Sequence, residues 1–416
     1  MTNWSGTVTF SADSTAFPTS IEELATLVSR SKSCRVLGSG HSFSRIADTS
    51  GTLVSLSRLP RRIDIDSAAM TVTISGELRY GDLAVALHRA GFALHNLASL
   101  PHITVAGACA TGTHGSGAGN GPLSSVVLGI EFVRASGDLV AIRRGDPGFD
   151  GAVVSLGALG AVTSMTLAIE RTYDVAQHVF TDLPLAFAME SLAGVLALGY
   201  SVSMFTSWTG DVIDQVCVKH RLDQGTVDLD VIVDAGARPA TRRLHPVPGI
   251  DAVSCSPQQG VPGPWHERLP HFSLDYTPST GDEIQSECFV ASADGPAAMA
   301  ALVAIGEAIR GPLLVSEIRA VAADDQWLSM SHARDSVAFH FTWCSDSARV
   351  MRAVASIEQA LAPFAPRSHW GKVTAMPLAL VGENYPRWND ARSLVIQTDP
   401  DGVFDNEFTR ALFRRN

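Results

Sequence analysis

Val36-Leu37-Gly38-Ser39-Gly40-His41-Ser42-Phe43-Ser44 is the stretch on which the reading of this 416-residue chain turns. Two apolar residues end a predicted strand, Cys34 to Leu37. Gly38 and Gly40 then let the backbone turn tightly and present bare N–H groups to an anion. His41 follows at once, on a loop that a bulky cofactor can touch. It is either a loop histidine satisfied by backbone carbonyls or a nucleophile, since neutral imidazole is abundant near pH 7 and can bond an electron-poor ring.

Working outward, Asn3 to Phe10 alternates enough to predict an opening strand, and Ser20 with Glu23 has capping-box spacing ahead of a helix. The glycines follow the second strand of this unit with no helix start behind them, so a Rossmann GxGxxG reading fails on context. Short strands are predicted at Thr52–Leu56, Arg62–Asp66 and Met70–Ser75, then a helix over Tyr80–Ala90 stopped by Gly91. A second loop of the same character runs from Ala98-Ser99-Leu100-Pro101-His102-Ile103 through Gly107 to Ala110-Thr111-Gly112-Thr113-His114-Gly115-Ser116-Gly117. A third, Ser155-Leu156-Gly157-Ala158-Leu159-Gly160, leads into an alternating strand, Ala161–Ile169. Tight packing explains any one of them. Three together favour an extended phosphate-bearing nucleotide clasped by the loops, and no GxxxxGK[ST] is present to suggest an ATPase.

Length predicts two domains. Apolar residues make up 46% and charged residues 18% of the chain, which suits a well-buried globular protein. The net charge of −11, without a basic block, argues against a nucleic-acid partner. No apolar run reaches membrane-spanning length, and Met1 to Ala16 lacks a Sec-type pattern. The six cysteines lack CxxC spacing, so neither a zinc site nor a disulfide framework is read, and no metal is expected. The expectation is a soluble cytoplasmic monomer.

After Tyr173 the texture shifts to aromatic and Pro-rich loops, with strands predicted at Gln285–Ala291, Leu313–Val321 and Ser336–Trp343 and helices at Pro296–Ile309 and Arg349–Leu361. This reads as an α+β domain on an antiparallel sheet. Period two puts Glu317 and Arg319 on one strand face, and His340 and Thr342 on another, with Phe339, Phe341 and Trp343 on the reverse. Such polar pairs suit either a solvated sheet or the floor of a site for a polyol or other polar substrate. Lys372, in His369-Trp370-Gly371-Lys372, is a surface lysine or, in apolar surroundings, a donor or base with a lowered pKa. Neither HExxH nor GxSxG occurs, so zinc or serine hydrolysis is not supported.

Leu37-Gly38-Ser39-Gly40-His41-Ser42-Phe43, Ala98 to Ile103, Ala110 to Gly117, Ser155 to Gly160, Pro262-Gly263-Pro264-Trp265-His266-Glu267-Arg268 and His369-Trp370-Gly371-Lys372, in this order, resemble the alditol and xylitol oxidases. These belong to the vanillyl-alcohol-oxidase-type (PCMH-type) FAD-linked oxidoreductases. The resemblance runs from Asn3 to Phe408. It implies a two-domain α+β flavoprotein: residues 1–174 bind FAD, 175–370 form the substrate domain, and 371–416 return to the FAD-binding domain. It implies covalent attachment of FAD through His41. Gly38, Ser39, Gly40, Ser42, Ala98, Ser99, Gly107, Thr111, Gly112, Thr113, His114, Gly115, Gly117, Gly157, Gly160 and Val162 are the other implied cofactor contacts. Ser99, Glu317, Arg319, Thr342 and Lys372 are implied to bind substrate, with Lys372, His340, Arg319 and Glu317 catalytic.

The implied reaction takes a hydride from the carbon bearing the terminal hydroxyl of a polyol such as xylitol or sorbitol to flavin N5. The product is the aldose, and O2 reoxidises the flavin to give H2O2. Ala98, small and apolar beside the flavin, is compatible with oxygen access. His95, Cys109 and Val403 depart from the family pattern, and His95 is expected at the pocket mouth. The alternatives are a flavin oxidase or dehydrogenase of a sugar lactone or sugar acid, and a non-catalytic flavin- or sugar-binding protein.

Overall fold

The computed structural model describes residues 1–275 and 281–414. Its architecture is α+β and rests on two larger sheets. The first has five antiparallel strands in the order Ile63–Asp66, Thr71–Ser75, Ala161–Ala168, Val127–Val133, Leu139–Arg143. Beside it lies a three-stranded parallel sheet of Ser14–Ala16, Thr52–Val54 and Cys34–Val36, the last of which feeds the first glycine loop.

The second large sheet has nine antiparallel strands, with Asp174–Pro184, Val212–Arg221, Ser201–Thr206, Leu313–Val321, Ser336–Cys344 and Glu283–Ala291 adjacent in that order. Alternation sorts its faces. Ile318, Phe339, Phe341 and Trp343 are fully buried on one side, in a core shared with Ala298, Met299 and Leu302 of the helix Gly295–Ala304. Val350, Val354, Ile357 and Leu361 of the helix Ser347–Leu361 complete that core. The other face carries the polar residues. Register places Phe205, Glu317, His340 and Glu287 in one row across four neighbouring strands.

The C-terminal helices Trp388–Thr398 and Glu407–Phe413 join the core of the N-terminal sheets through Ala391, Val395, Phe408, Leu412 and Phe413. Asn406 donates to the carbonyls of Arg45, Ile46 and Asp48. The buried guanidinium of Arg35 donates to the carbonyls of Gly157, Phe404, Ile46 and Leu156 at 3.0, 2.8, 2.5 and 2.6 Å. One side chain thus ties the first strand unit, the third small-residue loop and the tail together. Arg35→Met is expected to lower unfolding free energy by about 3 kcal/mol, because buried carbonyls lose charged donors. Urea unfolding measures this, and an unchanged midpoint would show that the carbonyls find other donors.

Several expectations need correction. Asn3 to Phe10 is not a strand. The Asn3 amide binds Ser5, the Ser42 carbonyl and the Val8 N–H, and Gly6 takes φ +70°, so local polar bonding wins over extension. Ser20 caps the helix Ile21–Arg30, but the Glu23 carboxylate reaches back to Thr19 and not to the cap residue. Within the second glycine loop, Val105–Ala110 is a short helix. The segment expected as one helix over 296–309 is two, Gly295–Ala304 and Gly306–Ile309.

Candidate active site

The two glycine loops and the polar row face one cavity of about 510 Å³. On the loop side, Gly40 takes φ +69° and its carbonyl accepts from the Trp4 N–H at 2.8 Å. This puts the His41 ring against the Trp4 ring, centroids 4.9 Å apart and 17° from parallel. His41 Nδ1 is buried without a hydrogen-bond partner, and burial pushes the imidazole pKa down to about 4. Gly38 and Gly107 both face the Thr104 hydroxyl, and a Cβ at either would collide with it. The Thr104 N–H also donates to Ser39 Oγ at 3.3 Å, so the two loops are interlocked. Thr111 Oγ1 lies 3.2 Å from Thr113 Oγ1 on the same wall.

The substrate side is an ion-pair network. Glu287 Oε1 accepts from Arg319 Nη2 at 2.6 Å and stands 3.2 Å from His114 Nε2, while Oε2 accepts from Lys372 Nζ at 2.8 Å. Lys372 Nζ also lies 2.5 Å from His340 Nδ1, whose Nε2 is 3.1 Å from Thr342 Oγ1. Because the ammonium can only donate, His340 Nδ1 is the acceptor and Nε2–H donates to Thr342. Glu317 bonds His271 Nε2 at 2.9 Å and approaches Arg319 Nε at 3.5 Å. The Glu317–Arg319 pair expected on one strand is therefore looser than the cross-strand pair Arg319–Glu287.

Burial alone would raise Glu287 and Glu317. For Glu287 the charge of Lys372, then those of His114 and Arg319, outweighs it; for Glu317, Arg319 and His271 do. Both carboxyls are held well below the ordinary value. Burial pushes His340 and His271 down to about 4 and lowers His114 and His369 as well. Lys372 is lowered by burial, against which Glu287 raises it.

Of the residues singled out in the sequence, Gly38, Ser39, Gly40, His41, Ser42, Ala98, Ser99, Gly107, Thr111, Thr113, His114 and Gly157 line the cavity. Glu317, Arg319, His340, Thr342 and Lys372 do so too. Gly112, Gly115, Gly117, Gly160 and Val162 lie outside this lining. A Cβ at these four glycines would meet Met330, Asn96, Asn120 and Phe132 respectively. The Val162 carbonyl packs over Gly76. His95 is not at the mouth; its Nε2 points to the Gly121 carbonyl and its own carbonyl accepts from Tyr173 and Tyr200.

Sequence reading missed Glu287, Gln285, His271 and His369, all of which line the cavity. The signal for the first two was available, since Gln285 and Glu287 alternate with Ile284, Ser286 and Cys288. His114, Glu287 and His369 also bring their ligand atoms within 4.8 Å of one another. With both Glu287 oxygens already bonded to Arg319 and Lys372, this trio reads as part of the ion-pair network, not as a cation cage.

Fold and site together define a vanillyl-alcohol-oxidase-type flavoprotein. Residues 12–143 match the FAD-binding-domain family and residues 293–412 the D-arabinono-1,4-lactone oxidase family. The fold is similar to cholesterol oxidase from B. sterolicum, with TM-score 0.76 and 14% identity over 99% of this chain and 96% of that one. It is also similar to glucooligosaccharide oxidase from Acremonium strictum, with TM-score 0.74 and 14% identity over 98% and 93%. The alditol oxidase of a Streptomyces species is 48% identical over 99% of this chain and 98% of its own length. The L-gulono-1,4-lactone dehydrogenase of Mycobacterium tuberculosis is 27% identical over 98% and 97%. The chain belongs to the alditol oxidase family.

Proposed function

We propose that this chain is an FAD-dependent alditol oxidase that converts the terminal primary hydroxyl of a polyol such as xylitol or sorbitol to the aldehyde, with O2 reduced to H2O2. The observation that carries the reading is the facing of two walls across one cavity: an interlocked glycine-loop wall ending in His41, and a floor of Glu317, Arg319, His340 and Lys372. The unpartnered His41 nitrogen and the cavity wall of Gly38, Ser39, Gly40 and Gly107 fit FAD, held by residues 1–174 and 371–416 and attached through His41. Bound there, FAD supplies the two-electron acceptor for the substrate hydride and passes the electrons to O2.

The chain's own residues bind and orient the substrate. Glu317 and Arg319 bind neighbouring hydroxyls, one as acceptor and one as donor, while Ser99 and Thr342 add hydroxyls at the edges. Lys372 has two of its three N–H groups committed to Glu287 and His340. The third is left for the oxygen of the reacting carbinol, where it stabilises negative charge as the C–H bond breaks. The hydroxyl proton leaves to solvent, because the one free lone pair of His340, on Nδ1, already accepts from Lys372 Nζ at 2.5 Å.

The family match over 293–412 and the lactone dehydrogenase relative favour a sugar lactone as the second reading. Anaerobic bleaching of the flavin by xylitol, sorbitol, gluconate and an aldonolactone separates the two. Bleaching by the polyols, with O2 consumed on readmission of air, is the expected result. Gluconate is expected to react poorly, because its carboxylate meets Glu317. Bleaching by the lactone alone would transfer the assignment to the second reading.

A further inference from the structure

We infer that Glu287 is a positioning residue: it fixes the Lys372 ammonium so that its remaining N–H points at the substrate oxygen. The inference rests on the alditol-oxidase reading for the identity of that oxygen. Its structural part rests on the network alone.

Glu287 is 1% exposed and sits in the strand row beside His340 and Glu317. The loop that carries Lys372 is laid onto the same strand by its backbone. The His369 N–H donates to the Glu287 carbonyl at 3.0 Å, and the Val373 N–H to the Gln285 carbonyl at 3.0 Å. Main chain and carboxylate together therefore set where Nζ stands. The groups facing Lys372 are Glu287 and Glu283 from one strand, His340 from the next, Glu317 and Arg319 from the third, His114 from the glycine loop and His369 from its own loop.

Among the described residues, Glu287 is the one carboxylate within salt-bridge distance of Lys372. Arg319, by contrast, has a second carboxylate in Glu317 at 3.5 Å. Glu287 alone meets both cations closely, Arg319 Nη2 at 2.6 Å and Lys372 Nζ at 2.8 Å, so one buried carboxylate serves two buried positive charges. Removing the Glu287 charge leaves a buried excess positive charge, and its cost falls on the partner that can shed a proton, Lys372.

The chain contains three lysines, Lys32, Lys219 and Lys372, so lysine-labelled NMR of the flavin-loaded protein resolves them, with Lys372 assigned by its loss in Lys372→Met. Glu287→Gln is expected to move the Lys372 titration down by about one pH unit or more and leave Lys32 and Lys219 in place. Anaerobic reduction by xylitol is expected to slow about tenfold and to decline at a lower pH than in the parent, with flavin content unchanged. On the Lys372→Met background, Glu287→Gln is expected to add no further loss, because both act through one ammonium. An unmoved Lys372 titration overturns the inference, and so does a full additional loss in the double variant. If Glu287→Gln alone does not fold, the double variant restores charge balance and its comparison with Lys372→Met decides. Failure of xylitol to reduce the parent protein overturns the substrate assignment, while the NMR titration still tests the Glu287–Lys372 coupling.

Discussion

Replacing His41 with alanine is expected to turn a protein whose flavin survives acid precipitation into one that releases all of it. In the parent, the flavin should be recovered on the peptide containing His41. Attachment through His41 would exchange a methyl C–H of the isoalloxazine for a C–N bond, a two-electron oxidation for which O2 would be the terminal acceptor. It requires a nitrogen lone pair that is neither protonated nor already hydrogen-bonded. His41 meets both conditions: burial pushes its pKa down to about 4, and Nδ1 has no partner. The stack on Trp4 and the Trp4 N–H bond to the Gly40 carbonyl hold the ring in place before any flavin arrives. Among the described residues no cysteine lines the cavity, so a single linkage is expected and its loss should be complete. Covalent flavin in the His41→Ala protein would remove this histidine from the account. Non-covalent binding should persist, because Gly38, Gly107 and Gly157 are untouched.

What could be read in the sequence follows from how each residue's neighbours are arranged. The strands Leu313–Val321 and Ser336–Cys344 were legible because one face is apolar, through Ile318 in the first and Phe339, Phe341 and Trp343 in the second, and the other carries polar pairs, so period two is visible. Ser201–Thr206, buried at every position, shows no alternation and was not found. Asp174–Pro184 hides its period because Gln177 is buried within it. The site shows the same division. His41 and Lys372 stand in short distinctive motifs, whereas Glu287 matters only through partners on other elements: Arg319, Lys372 and His114 lie 32, 85 and 173 residues away. A buried carboxylate looks improbable in one dimension, and only the fold brings in the cations that make it stable.

Lys372→Ala is expected to slow anaerobic flavin reduction by about 10²-fold or more while leaving flavin content and His41 attachment intact. That factor corresponds to about 2.7 kcal/mol of lost transition-state stabilisation. The reason is a matter of counting donors. An ammonium has three N–H groups, Glu287 and His340 take two, and the third is left for the cavity that Lys372 lines. As hydride leaves the carbinol carbon, negative charge grows on its oxygen, and the remaining Lys372 N–H meets it while Arg319 holds a neighbouring hydroxyl. The pH dependence carries the sign. Burial lowers Lys372 from the ordinary 10.5, so the parent should lose rate as pH rises through a midpoint below that value. Lys372→Ala should be slow at every pH and lack that decline. If the lysine worked instead as a neutral base, the parent rate would rise through the same midpoint. A variant reduced at the parent rate would place the reacting oxygen elsewhere in the cavity, beyond the reach of this ammonium.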